Sequence, residues 1–413
     1  MSQDKSTIMT NRFRYKTVHF SIIVSIYCIL LSALFSCMED TSPSVVGYKE
    51  DGNGATDSIV GGGPDELTNT YSHIFEKGEK GYSCYRIPAI VKTTKGTLLA
   101  FAEARKNSCS DTGNIDLVLR RSSNDGATWG EMVMVWDDGE NTCGNPAPVV
   151  VEETGKIILL MTWNNGADGI SEINAGTGID TRRVFVCEST DDGLTWSNPQ
   201  EITSTTKETT WGWYATGPCH GIQLTKGPNK GRLVIPCDYI SLKNAGGTGG
   251  AHIIYSDDNG ATWKLGGKTT KGNESTVAEL SDGNLLLNIR ISNNNNFRVV
   301  STSSDSGLTW TSPTNTLLVD PVCQGSMVSG TLADGRWVVF FSNPSSVERE
   351  NMMVKMSLDD GTTWSKTYSV YTGKAGYSDL VYLSNEYLGL LYEAGSGNYN
   401  EGIAYRKISI SSF

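Results

Sequence analysis

Between residues 70 and 413 the apolar positions recur at strand spacing rather than helix spacing. Ile115-Asp116-Leu117-Val118-Leu119, Arg183-Val184-Phe185-Val186, His252-Ile253-Ile254-Tyr255 and Met352-Met353-Val354-Lys355-Met356 are short β-rich runs, some of them alternating. No stretch of this region sustains a 3.6-residue apolar period, so the expected fold class is all-β. Each of these runs leads into one polar octapeptide, S-x-D-x-G-x-T-W. It occurs as Ser122–Trp129, Ser189–Trp196, Ser256–Trp263, Ser303–Trp310 and Ser357–Trp364, with Asn124 replacing the aspartate in the first copy.

The octapeptide has the composition of a turn. The short polar side chain (Asp191, Asp258, Asp305, Asp359) is expected to bond backbone N–H groups two residues on. The glycine takes a positive φ, and the closing Thr and Trp return the chain to strand. The tryptophans lie 67, 67, 47 and 54 residues apart. Regular hairpins at that interval predict a β-propeller of four-stranded blades: five marked blades plus one unmarked, six in all. The unmarked blade is expected where the C-terminus joins the start of the domain. The repeats themselves read as staples between blades, not as chemistry.

Targeting divides the 413-residue chain. Lys5, Arg12, Arg14 and Lys16 precede an apolar run from Phe20 to Phe35, the form of an export signal. It ends Leu34-Phe35-Ser36-Cys37, which resembles a bacterial lipobox with Cys37 as the lipidated first residue of the mature protein. Ordinary signal cleavage or an uncleaved anchor are the alternatives. Residues 1–37 are thus read as a lipoprotein-type signal peptide. Residues 38–70, rich in Gly, Asp, Ser and Pro, read as a flexible tether, and 71–413 as the folded domain. The expected location is the cell envelope of a bacterium, at the outer membrane or cell surface, with periplasmic or secreted forms as alternatives. Membrane contact is expected only through the lipid.

The net charge of −11 argues against nucleic acid as a partner. Nine cysteines include Cys28 and Cys37 in the signal, and none forms a metal-type C-x-x-C pair. His73, His220 and His252 make no ligand set, so no metal or cofactor is implied. Cys84 and Cys109 each stand two residues before a candidate site residue. A disulfide between them is one reading, and two buried thiols the other.

Three arginines stand out. Arg86 lies in Tyr85-Arg86-Ile87-Pro88 at the opening of the first blade. Arg290 ends the mostly apolar run Asn284–Arg290, and Arg349 sits between Glu348 and Glu350 ahead of a strand. At comparable positions in different blades they would converge on one axis, where guanidinium forks bind a carboxylate bidentately.

An R-I-P start followed by repeated S-x-D-x-G-x-T-W turns resembles the exo-α-sialidases (neuraminidases), and the resemblance covers nearly all of 71–413. It implies a six-bladed propeller in which Arg86, Arg290 and Arg349 bind the substrate carboxylate. Asp111 would be the acid/base, Tyr377 the nucleophile, and Glu274 the base that partners the tyrosine. Glu393 would hold the first arginine in place. Arg105 is a candidate contact to the sugar ring. Thr216-Gly217-Pro218-Cys219-His220-Gly221-Ile222 resembles a family loop near the substrate. Asp116 is the nearby rival to Asp111. Trp163, Trp211, Trp213 and Tyr214 are as easily packing residues as pocket walls and receive no role.

The implied activity is hydrolysis of terminal sialic acid from host glycoproteins, glycolipids and oligosaccharides, with retention through a sialyl-tyrosine, by a monomer. The same residues serve a trans-sialidase or an intramolecular one. A non-catalytic glycan-binding propeller is the reading from another class, and it gives no reason for all six catalytic and clamp residues to occur together.

Overall fold

The computed structural model describes residues 70–413 apart from Asn293. The signal segment, Cys37 and almost all of the tether lie outside the described residues. Among the described residues the strands resolve into six antiparallel meanders, five of four strands and one, the third, of five. The first holds Cys84–Lys92, Leu98–Arg105, Ile115–Ser122 and Val133–Trp136. The second holds Thr142–Val150, Ile157–Asn164, Arg183–Ser189 and Gln200–Glu201. In the third, Trp211–Thr216 and Ile222–Gln223 pair with Leu233–Ser241, followed by Gly249–Ser256 and Lys264–Lys268. The fourth holds Ser275–Glu279, Leu285–Ile289, Phe297–Ser303 and Thr314–Val319.

The last two meanders share the long strand Lys366–Tyr382. Its first part closes the fifth meander against Glu350–Ser357, behind Ser326–Thr331 and Trp337–Pro344. Its second part opens the sixth, followed by Tyr387–Gly395 and Gly402–Ser409. The outer strand of the sixth is His73–Glu76, from the other end of the domain. The meander that joins the two ends of the described residues is therefore the one without an octapeptide.

Apolar clusters fill the space between successive meanders. Val149, Ile158, Leu233 and Ile254 join the second to the third; Phe75, Ile90, Leu391 and Ile403 join the sixth back to the first. The octapeptides contribute to these seams. Trp196 meets Phe101 of the preceding meander at 5.7 Å between ring centroids, and Trp129 meets Tyr405 of the sixth at 5.2 Å. The turn glycines touch the same neighbours. A Cβ on Gly260 would lie 2.1 Å from Ile158, and one on Gly307 2.3 Å from Ile253. No side chain fits there, and φ is positive as well.

The turn geometry differs from expectation in four details. The aspartate reaches farther than two residues: Asp191 Oδ1 accepts N–H bonds from Leu194 and Thr195, three and four residues on. The serine completes the turn, since Ser189 Oγ accepts the Gly193 N–H at 2.9 Å. The residue before each glycine is also left-handed (Asp192 φ 65°, Asn259 φ 55°), and strand resumes only after the tryptophan.

Candidate active site

In an antiparallel meander the start of the first strand, the end of the second and the start of the third all lie at one end. Arg86 and Tyr377 are near first-strand starts, Arg105 and Arg290 at second-strand ends, and Arg349 just before a third strand. All five line one cavity of about 340 Å³, together with Asp111 and Glu274. The octapeptide turns follow the third strands and so fall at the opposite end.

Local irregularity re-aims the first strands. Register shifts interrupt pairing between Arg86 and Ala89, between Gly144 and Ala147, and between Ala375 and Ser378. Ile87 holds φ 57°, a costly conformation for a β-branched residue, and Asn145 holds φ 53°. Bulges of this kind turn side chains out of the ladder and toward a site.

Tyr377 is the centre of the cavity. Its hydroxyl donates to Glu274 Oε1 at 2.5 Å and accepts from Arg290 Nη1 at 2.9 Å, and Arg290 Nη1 also reaches Glu274 Oε2 at 2.5 Å. The Arg86 and Arg349 guanidinium carbons lie 5.1 and 5.5 Å from the centroid of the Tyr377 ring. Both also approach the ring of Tyr399, at 5.5 and 5.0 Å. Burial, then the Glu274 charge, push the phenol well above its ordinary value, against the opposing pull of Arg290 and Arg86. The proton therefore stays on Tyr377 until a base takes it.

Glu393 is fully buried. It accepts from Arg86 Nε and Nη2 and from the backbone N–H groups of Ile87 and Tyr377. One carboxylate thus fixes the first arginine, the strained residue beside it and the backbone of the tyrosine. Burial pushes the Arg86 guanidinium down, but the Glu393 charge, with Tyr377 and Asp111, more than offsets it.

Asp111 stands at the rim with 70% of its side chain open. Arg105 Nη1 reaches Asp111 Oδ1 at 2.8 Å and also donates to the Cys109 and Ser110 carbonyls. Arg86 Nη1 lies 3.5 Å from the same oxygen. Partial desolvation within the cavity mouth pushes its pKa up although much of the side chain is open, but Arg105 and then Arg86 outweigh this and hold it below the ordinary carboxylate value. The loop is tied down by a Cys84–Cys109 disulfide; Cys143, Cys187, Cys219, Cys237 and Cys323 are buried thiols. Arg105 is itself buried, and Glu103 takes its Nε and Nη2, so its principal contacts hold the Asp111 loop. Asp116, the rival acid, is buried under the Tyr82 hydroxyl at 2.5 Å and does not line the cavity.

Two expectations shift. The Thr216–Ile222 segment does not line the cavity, although Ala215 before it does; His220 instead bonds Asp379 beneath it. Of the aromatic residues left without a role, Trp213 lines the cavity. Trp211 stacks on Tyr239 at 3.9 Å in the core. Sequence reasoning did not find Asn145, Arg182, Asp238 and Asn273, which also line the cavity. Arg182 lies 3.7 Å over the Trp213 ring and donates to Asn145 Oδ1 at 2.5 Å. Only Asn145 carried a usable signal: Gly144-Asn145-Pro146 repeats, at the next first strand, the X-Pro step of Ile87-Pro88.

Comparison with known proteins agrees with this arrangement. Residues 96–391 match the BNR repeat-like domain family. A sialidase of Bacteroides fragilis is 33% identical over 77% of this chain, which spans 61% of that relative's length. An exo-α-sialidase of Aspergillus fumigatus is 31% identical over 80% of this chain and 85% of its own. The solved structure of the Hadza microbial sialidase Hz136 superposes with a TM-score of 0.76 at 31% identity, covering 83% of this chain and 69% of that one. With these cavity residues and this likeness over most of its described length, the chain belongs to the sialidase family.

Proposed function

We propose that this protein is a retaining exo-α-sialidase that removes terminal sialic acid from glycoproteins, glycolipids and oligosaccharides. The observation that carries this reading is the Tyr377 hydroxyl held between Glu274 Oε1 at 2.5 Å and Arg290 Nη1 at 2.9 Å. The six meanders, each packed on the next and the sixth on the first, support closure as a six-bladed propeller with the cavity on its axis.

Sialic acid carries a carboxylate on the anomeric carbon. A carboxylate nucleophile would approach that negative centre against its charge, whereas a neutral phenol does not. Sialidases accordingly stand apart from two-carboxylate glycosidases in using tyrosine. Arg86, Arg290 and Arg349 hold the substrate carboxylate. Tyr377 Oη attacks C2 as its proton passes to Glu274, and Asp111 protonates the departing glycosidic oxygen. In the second step Asp111 takes a proton from water, which attacks C2, while the C2–Oη bond breaks and Glu274 returns the proton to the phenolate. Two displacements give net retention. Arg290 and Arg86 also stabilise the negative charge that develops on Oη. Charge elsewhere on this acidic protein is screened over about 8 Å at physiological salt, so the contacting arginines dominate.

The deciding experiment is proton NMR of the purified protein with sialyllactose. Early release of the α-anomer of free sialic acid is the expected result, and early β-anomer would overturn retention. A transferred or anhydro product would make the protein a trans-sialidase working through the same residues. Binding without turnover would leave a glycan receptor. Cys37 makes the further part of the reading a lipid-anchored form in the bacterial envelope.

A further inference from the structure

Asp379, two residues beyond Tyr377, is fully buried, and four donors converge on its carboxylate. Oδ2 accepts the backbone N–H groups of Ile90 at 2.8 Å and His220 at 3.1 Å. Oδ1 accepts the Ser326 hydroxyl at 2.6 Å and pairs with His220 Nδ1 at 2.7 Å. The donors come from three other parts of the fold. Ile90 lies on the strand that carries Arg86, and His220 in the segment before Ile222–Gln223. Ser326 stands three residues after Cys323, which packs with Ile87 against Tyr377.

The same stretch is held again one residue earlier. Gln324 accepts the Ser378 N–H at 3.0 Å and donates to the Ser378 carbonyl at 3.0 Å and the Pro218 carbonyl at 2.9 Å. Ser326 Oγ accepts the Leu380 N–H at 3.1 Å. This matters because the ladder does not fix Tyr377. Its pairing with Tyr387–Gly395 is interrupted between Ala375 and Ser378, where a bulge leaves the tyrosine outside the ladder. Side chains therefore set its position: Glu393 on its own N–H, and the Asp379 cluster just beyond. A carboxylate is this deeply buried only when its oxygens are satisfied, and His220 supplies two of the four donors that do so, its backbone N–H and Nδ1. His220 does not line the substrate cavity. It lines a separate one of about 420 Å³ with Val149, Val328 and Val381.

We propose that the His220–Asp379 pair positions the nucleophile: it anchors the strand beyond Tyr377 so that Oη stays between Glu274 and Arg290, without touching substrate. The proposal rests on the sialyl-tyrosine reading above. A displacement of 1 Å at a reacting atom costs about 10²-fold in rate, so a remote anchor can govern turnover.

The test separates attack from binding. With 2,3-difluorosialic acid, Tyr377 attacks C2, the phenolic proton goes to Glu274 and fluoride leaves; the rate of this labelling reports nucleophile placement. Equilibrium binding of an unsaturated sialic acid analogue reports the arginine clamp. His220→Ala is expected to label about 10²-fold more slowly while binding the analogue within about threefold of the parent. His220→Asn, whose amide can donate where Nδ1 does, is expected to recover most of the rate. Ser326→Ala removes a second donor to Asp379 and is expected to slow labelling about tenfold; it decides the matter if the His220 variants fail to fold. Labelling by folded variants within about threefold of the parent would overturn the proposal. So would losses of labelling and analogue binding in equal measure, or failure of asparagine to recover the rate. A parent protein that is neither labelled nor active would instead overturn the hydrolase reading, so the two failures are distinguishable.

Discussion

Glu393 grips Arg86 through both carboxylate oxygens, Oε1 to Nε at 3.0 Å and Oε2 to Nη2 at 3.2 Å. Both partners are buried, and the same oxygens hold the N–H groups of Ile87 and Tyr377. Glu393→Gln keeps the size of the side chain but leaves Arg86 without its counter-charge. Breaking one side of a buried pair costs about 3 kcal/mol. The expected outcome is a thermal midpoint lowered by about 5 °C and weaker binding of a carboxylate-bearing analogue, measured by melting and calorimetry. Unchanged binding would show that Arg86 needs no such support.

The Tyr377 hydroxyl donates to Glu274 across 2.5 Å, and burial keeps the proton on the phenol at rest. Tyr377→Phe removes the hydroxyl proposed to attack C2 without enlarging the cavity by more than one atom. Turnover of sialyllactose is expected to fall at least about a thousandfold, with the melting transition close to that of the parent. Near-normal turnover would mean that another group attacks C2.

The recurring octapeptide made the architecture legible, because a staple must be repeated wherever one sheet packs on the next. Arg86, Asp111, Glu274, Arg290, Arg349, Tyr377 and Glu393 were legible because each sits in a short local string. Arg182 and Asp238 do not: they reach the cavity only because strands from different meanders end there. The His220–Asp379 pair is a contact across 159 residues of sequence, and no local string encodes it. Arg105 lines the cavity as a candidate sugar contact, and its nitrogens are largely engaged by Glu103 and the Asp111 loop, a competition visible only in three dimensions.

Asp111 and Arg105 set an expectation for pH. Arg105, with Arg86, keeps the Asp111 carboxyl ionised below the usual carboxylate range. A general acid must be protonated to act, so kcat/KM on sialyllactose should be highest on the acid side and fall as pH rises. Arg105→Gln removes the larger of the two lowering influences and raises the proton affinity of Asp111. The falling limb is then expected at higher pH, even if the absolute rate drops through loosening of the loop. A limb that stays in place would separate Asp111 from the titration.

Cys37 carries the proposal of lipid anchoring. Cys37→Ser is expected to move the protein from membrane fractions to the soluble fraction of cells producing the full chain, with sialidase activity per molecule unchanged. Continued membrane association would sink the lipid anchor.

Asn124 tests the staple. In the other copies the threonine hydroxyl donates to the aspartate, as Thr195 does to Asp191 Oδ2 at 2.5 Å. At Asn124 the bond runs the other way, from Asn124 Nδ2 to Thr128 Oγ1 at 2.9 Å, and a neutral oxygen rather than a carboxylate receives the Thr128 N–H. Charge-assisted bonds are the stronger kind, but this turn is solvated, so Asn124→Asp should stabilise by only about 0.5 kcal/mol. The hydrogen bond from the Thr195 hydroxyl leads the interactions that hold Asp191 down at about 2, below its ordinary value. The same depression at residue 124 fixes the sign of the pH dependence. A carboxylate whose native pKa is lowered stabilises the fold above its unfolded value, near 3.9, and loses that contribution as pH falls through the native value. The variant should therefore melt about 1 °C above the parent at pH 7, with the difference vanishing between about pH 4 and 2. A gain that persisted at pH 2 would have to come from something other than the carboxylate.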